Sequence, residues 1–291
     1  MFQKGEINKV CTTVTDEIDL YPRHFLVNGE HKLLYCWIHK VASTSWIALF
    51  SHLANRTNIE EYYREIKFLS PKTTEELQSA KRYYKIIAVR HPFQRLVSAY
   101  RDRIQDNSRF TSQAWAYVPR IFALTRPKLH RGQIFKNAYY NHCRLLIVPS
   151  FEEFVTWLLS IPSEHYDVHW NLYSQHCDPC SLKYDAVIKM DNFTGLEEEQ
   201  LMKDMGIDQL NLSLEHFQKT LGGPTTFNIT CQYFQQLTLD QAQGLYEVYQ
   251  RDFKMFSYSP LPYMKCAKNH NIPDVITLLN NAKNSSHPNI S

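Results

Sequence analysis

The sequence predicts an α/β fold with a central parallel sheet flanked by helices. Three observations predict it. Short apolar runs of strand length alternate with stretches of helical periodicity. Two of those runs end in polar turns that open directly into helices. The composition supports a large core: 44% of the 291 residues are hydrophobic, with 18 Tyr and 16 Phe against 8 Gly, which excludes a disordered or low-complexity chain.

The elements follow in order. Residues 32–38 (KLLYCWI) read as a short buried strand, and a helix follows over 43–54. Another helix is expected over 74–82, after the Ser70-Pro71 break. Residues 84–89 (YKIIAV) form a second strand. Pro92 suits the first turn of a helix, where a missing N–H loses no partner. Phe93, Leu96, Val97, Tyr100 and Ile104 then recur at helical spacing. Residues 151–159 form an amphipathic helix, and 184–190 (YDAVIKM) a third strand. Thr238 and Gln241 make a capping box that opens a long helix through about Phe256. No internal repeat is visible. One domain is expected over residues 31–263, with 1–30 as an N-terminal extension and 264–291 as a poorly ordered tail rich in Asn, Ser and Lys.

Charge is uneven. The chain as a whole carries +3, but between Arg101 and Arg144 nine basic residues face two acidic ones, a net +7. That stretch is either a solvated face or a surface for an anionic partner. Together with the neighbouring residues up to Pro149 it is expected to be a helical insertion lining a groove. Seven cysteines are scattered, and Cys177 and Cys180 form one C-x-x-C pair. No second pair completes a zinc site. One or two structural disulfides in an oxidising compartment, with a thiol left over, are expected instead. Six glycosylation sequons, at Asn55, Asn192, Asn211, Asn228, Asn284 and Asn289, agree with that compartment. No stretch of about 18 apolar residues and no signal-peptide core is present, so any targeting segment lies outside the chain or is not recognisable.

Two strand-to-helix junctions carry the chemistry. In the first, His39-Lys40-Val41-Ala42-Ser43-Thr44-Ser45-Trp46, three hydroxyl residues occupy the first turn of a helix and a lysine stands before them. Free N–H groups at a helix start bind anions, and the hydroxyls add donors. An ordinary capped helix beside a surface lysine is the plainer reading. The loop has no glycine and lacks the G-x-x-x-x-G-K-[ST] order of nucleotide triphosphatases, which argues against a kinase. In the second, Arg90-His91-Pro92-Phe93-Gln94-Arg95-Leu96-Val97-Ser98, an arginine at a strand end and a hydroxyl two turns into the helix can together hold a phosphate, with Arg95 a second cation.

Taken together, these motifs resemble the Golgi carbohydrate sulfotransferases of the chondroitin, dermatan and HNK-1 group. The family reads close to P-K-V-A-C-[ST]-N-W-K-R where this chain has His39 to Ala48, and close to R-[ED]-P-F-E-R-L-[VL]-S-A-[YF] where it has Arg90 to Tyr100. His169-Trp170, Cys177-Asp178-Pro179-Cys180 and Tyr184-Asp185 resemble its H-W-x-P, C-x-P-C and Y-D elements. A fourth match runs from Leu245 through Asp252-Phe253 to Tyr258. The chain departs from the family at His39, at Ile47 and Ala48 in place of a Lys-Arg pair, and at His91 in place of an acid.

The resemblance implies a P-loop-like sulfotransferase fold and a donor, 3′-phosphoadenosine 5′-phosphosulfate. Lys40, Ser43, Thr44 and Ser45 match the loop around the 5′-phosphosulfate, and Arg90 and Ser98 match the pair on the 3′-phosphate. His39, Val41, Ala42, His91, Pro92, Phe93, Gln94, Arg95, Leu96 and Val97 lie inside the same motifs and shape them. No metal and no nucleic acid is expected. The acceptor is a hydroxyl of an anionic glycan, of the chondroitin or dermatan kind with N-acetylgalactosamine. The alternatives are a glucuronyl 3-O- or other-acceptor enzyme, or a glycan-binding pseudoenzyme. A Golgi lumen location with a type II membrane anchor also follows from the resemblance. Lys40 is the candidate for charge or proton delivery at the leaving group. His169 is the candidate base, because imidazole titrates near neutrality; a histidine simply packed beside Trp170 is the other reading. His39 and His91 rank behind it.

Overall fold

The computed structural model describes residues 4–12, 20–56, 61–138, 142–215 and 221–268. Among the described residues six strands are formed: β1 Phe25–Asn28, β2 Leu33–Cys36, β3 Tyr84–Val89, β4 Phe135–Ala138, β5 His142–Leu145 and β6 Ala186–Lys189. The chain gathers into two compact units. The first comprises Met1–Arg95, Tyr166–Lys219 and Arg251–Tyr258, and the second Leu96–His165, Thr220–Gln250 and Ser259–Ser291.

The first unit is the expected α/β body. Its sheet has the order β1-β2-β3-β6. Strands β2, β3 and β6 are parallel, with Tyr35 opposite Ile86 and Ile87 opposite Val187. All four residues of β2 are fully buried, as are Ile86 to Val89 of β3, which explains why both read as continuous apolar runs. Parallel neighbours need a crossover, and the helices Ser43–Leu53, Tyr62–Leu69 and Thr74–Ala80 supply it between β2 and β3. Strand β1 falls in the stretch read as an N-terminal extension, yet it is the antiparallel edge of the sheet, with Phe25 opposite Cys36.

Side chains fix the helices to this sheet. Trp46 stacks on Tyr35 at 4.5 Å and is fully buried, so it anchors the helix Ser43–Leu53. Asn28 on β1 donates its side-chain amide to the Leu53 carbonyl at 3.0 Å, closing that helix's C-terminus. The buried Glu65 carboxylate accepts from Ser51 and, bidentately, from Arg56, which joins helix Tyr62–Leu69 to it. Arg56 holds the Glu65 carboxyl below its ordinary range.

Cysteines close the unit in a way the C-x-x-C spacing does not reveal. Cys177 bonds Cys36 and Cys180 bonds Cys11, across 141 and 169 residues, so the pair bridges outward and not to itself. A third bridge, Cys231–Cys266, lies in the second unit. Three disulfides therefore exceed the one or two expected. The last of them draws the start of the expected tail into structure, and Lys268 pairs with Thr238; residues 269–291 lie outside the described residues.

The second unit has its own aromatic core. Tyr100, Phe151, Phe154, Tyr233 and Phe234 meet ring to ring, and the Tyr100 hydroxyl donates to the Pro149 carbonyl at 2.6 Å. The expected helix 151–159 forms, opened by a Ser150/Glu153 capping box. The Thr238/Gln241 box likewise opens Leu239–Met255. The insertion is only partly helical: Ser112–Thr125 is followed by the β4–β5 hairpin. No helix among the described residues is long and apolar enough to cross a membrane.

Candidate functional site

The first junction follows β2. Residues 39–42 turn sharply, and the turn needs two residues in the left-handed region, Lys40 (φ 71°) and Ala42 (φ 59°). Glycine normally takes such positions; a non-glycine residue there costs about 1–2 kcal/mol. The helix Ser43–Leu53 starts without a side-chain cap. Its first internally bonded N–H groups are those of Ser45 and Trp46, both donating to the Ala42 carbonyl at 3.0 and 3.2 Å. The N–H groups of Ser43 and Thr44 precede the first turn and have no intrahelical acceptor. Both residues are half-buried, as is Lys40 two positions before the helix start. Ile47 and Ala48 are buried at 3% and 2% exposure. In this chain those positions are core, which is why they carry no cation.

The second junction follows β3 and is built differently. The Tyr173 hydroxyl accepts the Arg90 N–H at 3.0 Å and donates to the Arg90 carbonyl at 3.1 Å. The Asp191 carboxylate, at the end of β6, accepts the His91 N–H at 3.0 Å and also the Tyr258 hydroxyl. The His91 ring is buried between Phe253 and Tyr258, and its Nδ1 accepts the Phe93 N–H at 3.2 Å, so His91 caps the helix Pro92–Tyr100. The backbone here is occupied by the protein's own groups. The Arg90 side chain, 20% exposed, donates to Gln94 at 3.2 Å and lies 3.9 Å from Asp191. Val41, Pro92, Phe93, Leu96 and Val97 are core side chains. Ser98 is buried on the same helix, in the part that belongs to the second unit.

The third component is a loop after the helical turn Ser163–His165. His169 is 2% exposed, and its Nδ1 bonds the Asp167 carboxylate at 2.6 Å. The His39 ring from the first junction stacks on His169, with centroids 3.9 Å apart and planes 22° apart. An aspartate on Nδ1 favours the tautomer that leaves Nε2 as an acceptor, and that nitrogen is buried.

Residues that sequence reasoning missed hold these parts in register. Arg95 reads as a second cation, but it is buried, and its guanidinium donates to three backbone carbonyls: His39 at 3.1 Å, Asn171 at 2.5 Å and Val168 at 3.3 Å. It lies 4.7 Å over the Tyr173 ring. Arg95 thus ties the loop at His39 to the segment bearing His169. Asp252, fully buried, accepts the N–H groups of Tyr173 and Ser174 at 2.7 and 2.9 Å and caps that short helix; burial pushes its carboxyl up. Behind the site, His176 stacks on His24 at 3.6 Å, and its Nε2 bonds the Trp37 carbonyl at 3.1 Å. Asp167, Tyr173, Asp191 and Asp252 carry no local motif beyond the D-F match, so only the fold discloses them.

Four of the nine basic residues in the stretch are held by the protein's own acids, hydroxyls and carbonyls. Arg101 donates to the Leu221 and Gly223 carbonyls and to Thr225, Arg103 and Arg109 pair with Asp102, and Arg126 pairs with Glu153. No group of side chains among the described residues could hold a metal ion.

A strand end, a tight left-handed turn and an uncapped helix start in a mostly parallel sheet define an α/β protein. Comparison with known proteins makes the class specific. Residues 23–259 match the sulfotransferase family, and the chain belongs to it. It is similar to carbohydrate sulfotransferase 11 of Rattus norvegicus, 31% identical over 259 residues that cover 84% of this chain and 69% of that protein. It is also similar to carbohydrate sulfotransferase 8 of Mus musculus, 30% identical over 258 residues covering 82% and 58%, and to carbohydrate sulfotransferase 12 of Xenopus laevis, 24% identical over 264 residues covering 81% and 60%. No solved structure matches the chain.

Proposed function

We propose that this chain is a carbohydrate sulfotransferase acting in the Golgi lumen, with 3′-phosphoadenosine 5′-phosphosulfate as donor and a chondroitin- or dermatan-type N-acetylgalactosamine hydroxyl as acceptor. One observation carries the reading: His39 of the anion-cradling loop stacks on His169, whose Nδ1 is held by Asp167. A candidate base and a candidate anion site are thereby in contact. The loop fits the donor chemically, since residues 39–46 include hydroxyls and an ammonium but no acid. When bound, the donor supplies a sulfuryl group carried on its 5′-phosphate.

The chain's own groups then have defined tasks. The Ser43 and Thr44 N–H groups and the hydroxyls of Ser43, Thr44 and Ser45 hold the 5′-phosphosulfate. Lys40 balances the charge that grows on the leaving bridging oxygen. The Arg90 side chain takes the 3′-phosphate. His169 receives the proton of the acceptor hydroxyl at Nε2 while Asp167 keeps the ring in position. Three disulfides and exposed sequons at Asn55, Asn192, Asn211 and Asn228 support an oxidising, glycosylating compartment.

The test is transfer of labelled sulfate from the donor to a panel containing chondroitin, desulfated dermatan, a glucuronyl-terminated glycan and a simple phenol. Transfer to the first two is expected, with His169→Gln slowing it by about 10²–10⁴-fold. A wild-type protein that labels no glycan in the panel removes the enzymatic reading, and one that labels only the third or fourth acceptor replaces the substrate.

A further inference from the structure

Apart from the loops just described, the first unit holds a cleft of about 580 Å³ between residues 21–23 and the stretch around helix Tyr62–Leu69. Its walls carry five cations and no acid. Arg56 is committed to Glu65 and packs 4.1 Å from the Phe68 ring. Lys72 donates to the carbonyls of Lys67, Phe68 and Ser70 at 2.7, 2.8 and 3.0 Å, which fixes its ammonium at the rim without neutralising it. Arg23, Arg64 and Lys67 are exposed and enter no ion pair among the described residues. Tyr21 and Phe68 are exposed at 52% and 54%.

This combination selects a ligand chemistry. Cations without acids create a positive potential that survives in a concave wall. Exposed aromatic rings add apolar faces that suit the C–H face of a sugar ring. A compact phosphate is a poor match, because Lys72 meets the carbonyl end of helix Tyr62–Leu69 and not an N–H cradle. Charges spread over long side chains match a chain that bears its anions at intervals. The cleft is also linked to the candidate base. Trp37 donates its indole N–H to the Arg23 carbonyl at 2.6 Å, and its ring meets His39 edge-on at 4.9 Å. His39 in turn stacks on His169. In the basic stretch 101–144, Arg101, Arg103, Arg109 and Arg126 are held by the protein's own acids and carbonyls.

We propose that this cleft is an accessory site for a polyanionic glycan strand, gripping carboxylate or sulfate groups of an acceptor chain away from the hydroxyl that reacts. The choice of a glycan rests on the sulfotransferase reading; the site itself rests on the charge and shape of the cleft.

Calorimetric titration of the full chain with hexasaccharides tests it: one bearing uronate and sulfate, one bearing uronate alone, and one neutral. Both anionic chains are expected to bind, more weakly as salt rises. The double substitution Arg64→Glu/Lys67→Glu, at exposed positions, is expected to weaken them about tenfold or more. The larger loss of the two names the recognised group. The same variant keeps its melting-temperature rise with adenosine 3′,5′-bisphosphate, and its KM rises for long acceptors while kcat holds. Equal binding by the variant, equal binding of the neutral chain, or loss of the bisphosphate response in the variant overturns the proposal. A wild type that responds to bisphosphate but binds no hexasaccharide overturns the cleft alone. One that binds the hexasaccharide through Arg64 and Lys67 without a bisphosphate response keeps the cleft and overturns the nucleotide reading.

Discussion

The junctions after β2 and after β3 start from the same plan and finish differently. Each is a buried parallel strand running into a helix. After β2, the helix start has no side-chain cap and the turn holds two residues in the left-handed region. After β3, Tyr173, Asp191 and the His91 ring take the backbone groups of Arg90, His91 and Phe93. The lesson is that a helix start becomes an anion site only where the protein leaves its first N–H groups unclaimed. The second junction can offer a ligand its arginine side chain but not its backbone. In the proposed function one junction would act through main-chain donors plus Lys40, and the other through a braced guanidinium.

The comparison breaks most visibly at Lys40. Lys40→Ala should lower kcat for sulfate transfer by about 10²–10³-fold, as loss of a charge-stabilising donor does elsewhere, with the melting temperature nearly unchanged. An equal loss of melting temperature would mean that the loop needs the lysine to fold. The bracing of the second junction is tested by Tyr173→Phe. It strips a hydroxyl from two buried backbone groups and should cost about 1–3 kcal/mol in chemical denaturation. A neutral result would show that the Arg90 backbone needs no brace.

Smaller effects sharpen the picture around the first junction. Burial holds the His24 and His176 rings below the usual histidine value of 6.5, and for His176 the neighbouring His24 and Arg95 add to it. The unfolded chain therefore binds more protons than the folded one below that pH. Stability from this pair is complete above pH 6.5 and declines as the pH falls toward the depressed folded values. Melting curves at pH 7.5 and 5.5 should show a drop for the wild type, and a shallower drop for His176→Gln. Identical slopes would remove the pair from the acid response. The least effect belongs to Ala42→Gly. It relieves the left-handed strain and should raise stability by about 1 kcal/mol in the same denaturation assay. A loss there would mean that the methyl group packs usefully.

Much of the first unit was legible in the sequence. Residues 84–89 form the strand their apolar run predicts, and Ser43 opens the expected helix. The fully buried strands announced themselves because both of their faces are apolar. Strand β1 did not, being a short edge beyond the first strong run. The cysteine partners were hidden because a C-x-x-C spacing says nothing about residues 141 or 169 positions away. Arg90 and Arg95 look alike in the motif, yet one side chain stays partly exposed and the other is buried among carbonyls. Only tertiary structure separates a partly exposed arginine from one that positions loops. The missing glycines in residues 39–46 also misdirect, because Lys40 and Ala42 adopt the conformation that glycine would otherwise supply. The second unit was less legible, since it lacks a long buried strand and its only strands among the described residues are the short β4–β5 hairpin.

The most direct test of the two-junction account is calorimetric binding of adenosine 5′-monophosphate, adenosine 3′-monophosphate and the 3′,5′-bisphosphate to wild type, Lys40→Ala and Arg90→Ala. The account predicts that Lys40→Ala weakens the 5′-phosphate and the bisphosphate while sparing the 3′-phosphate, and that Arg90→Ala does the reverse. Loss of the same phosphate in both variants, or no loss in either, would contradict it.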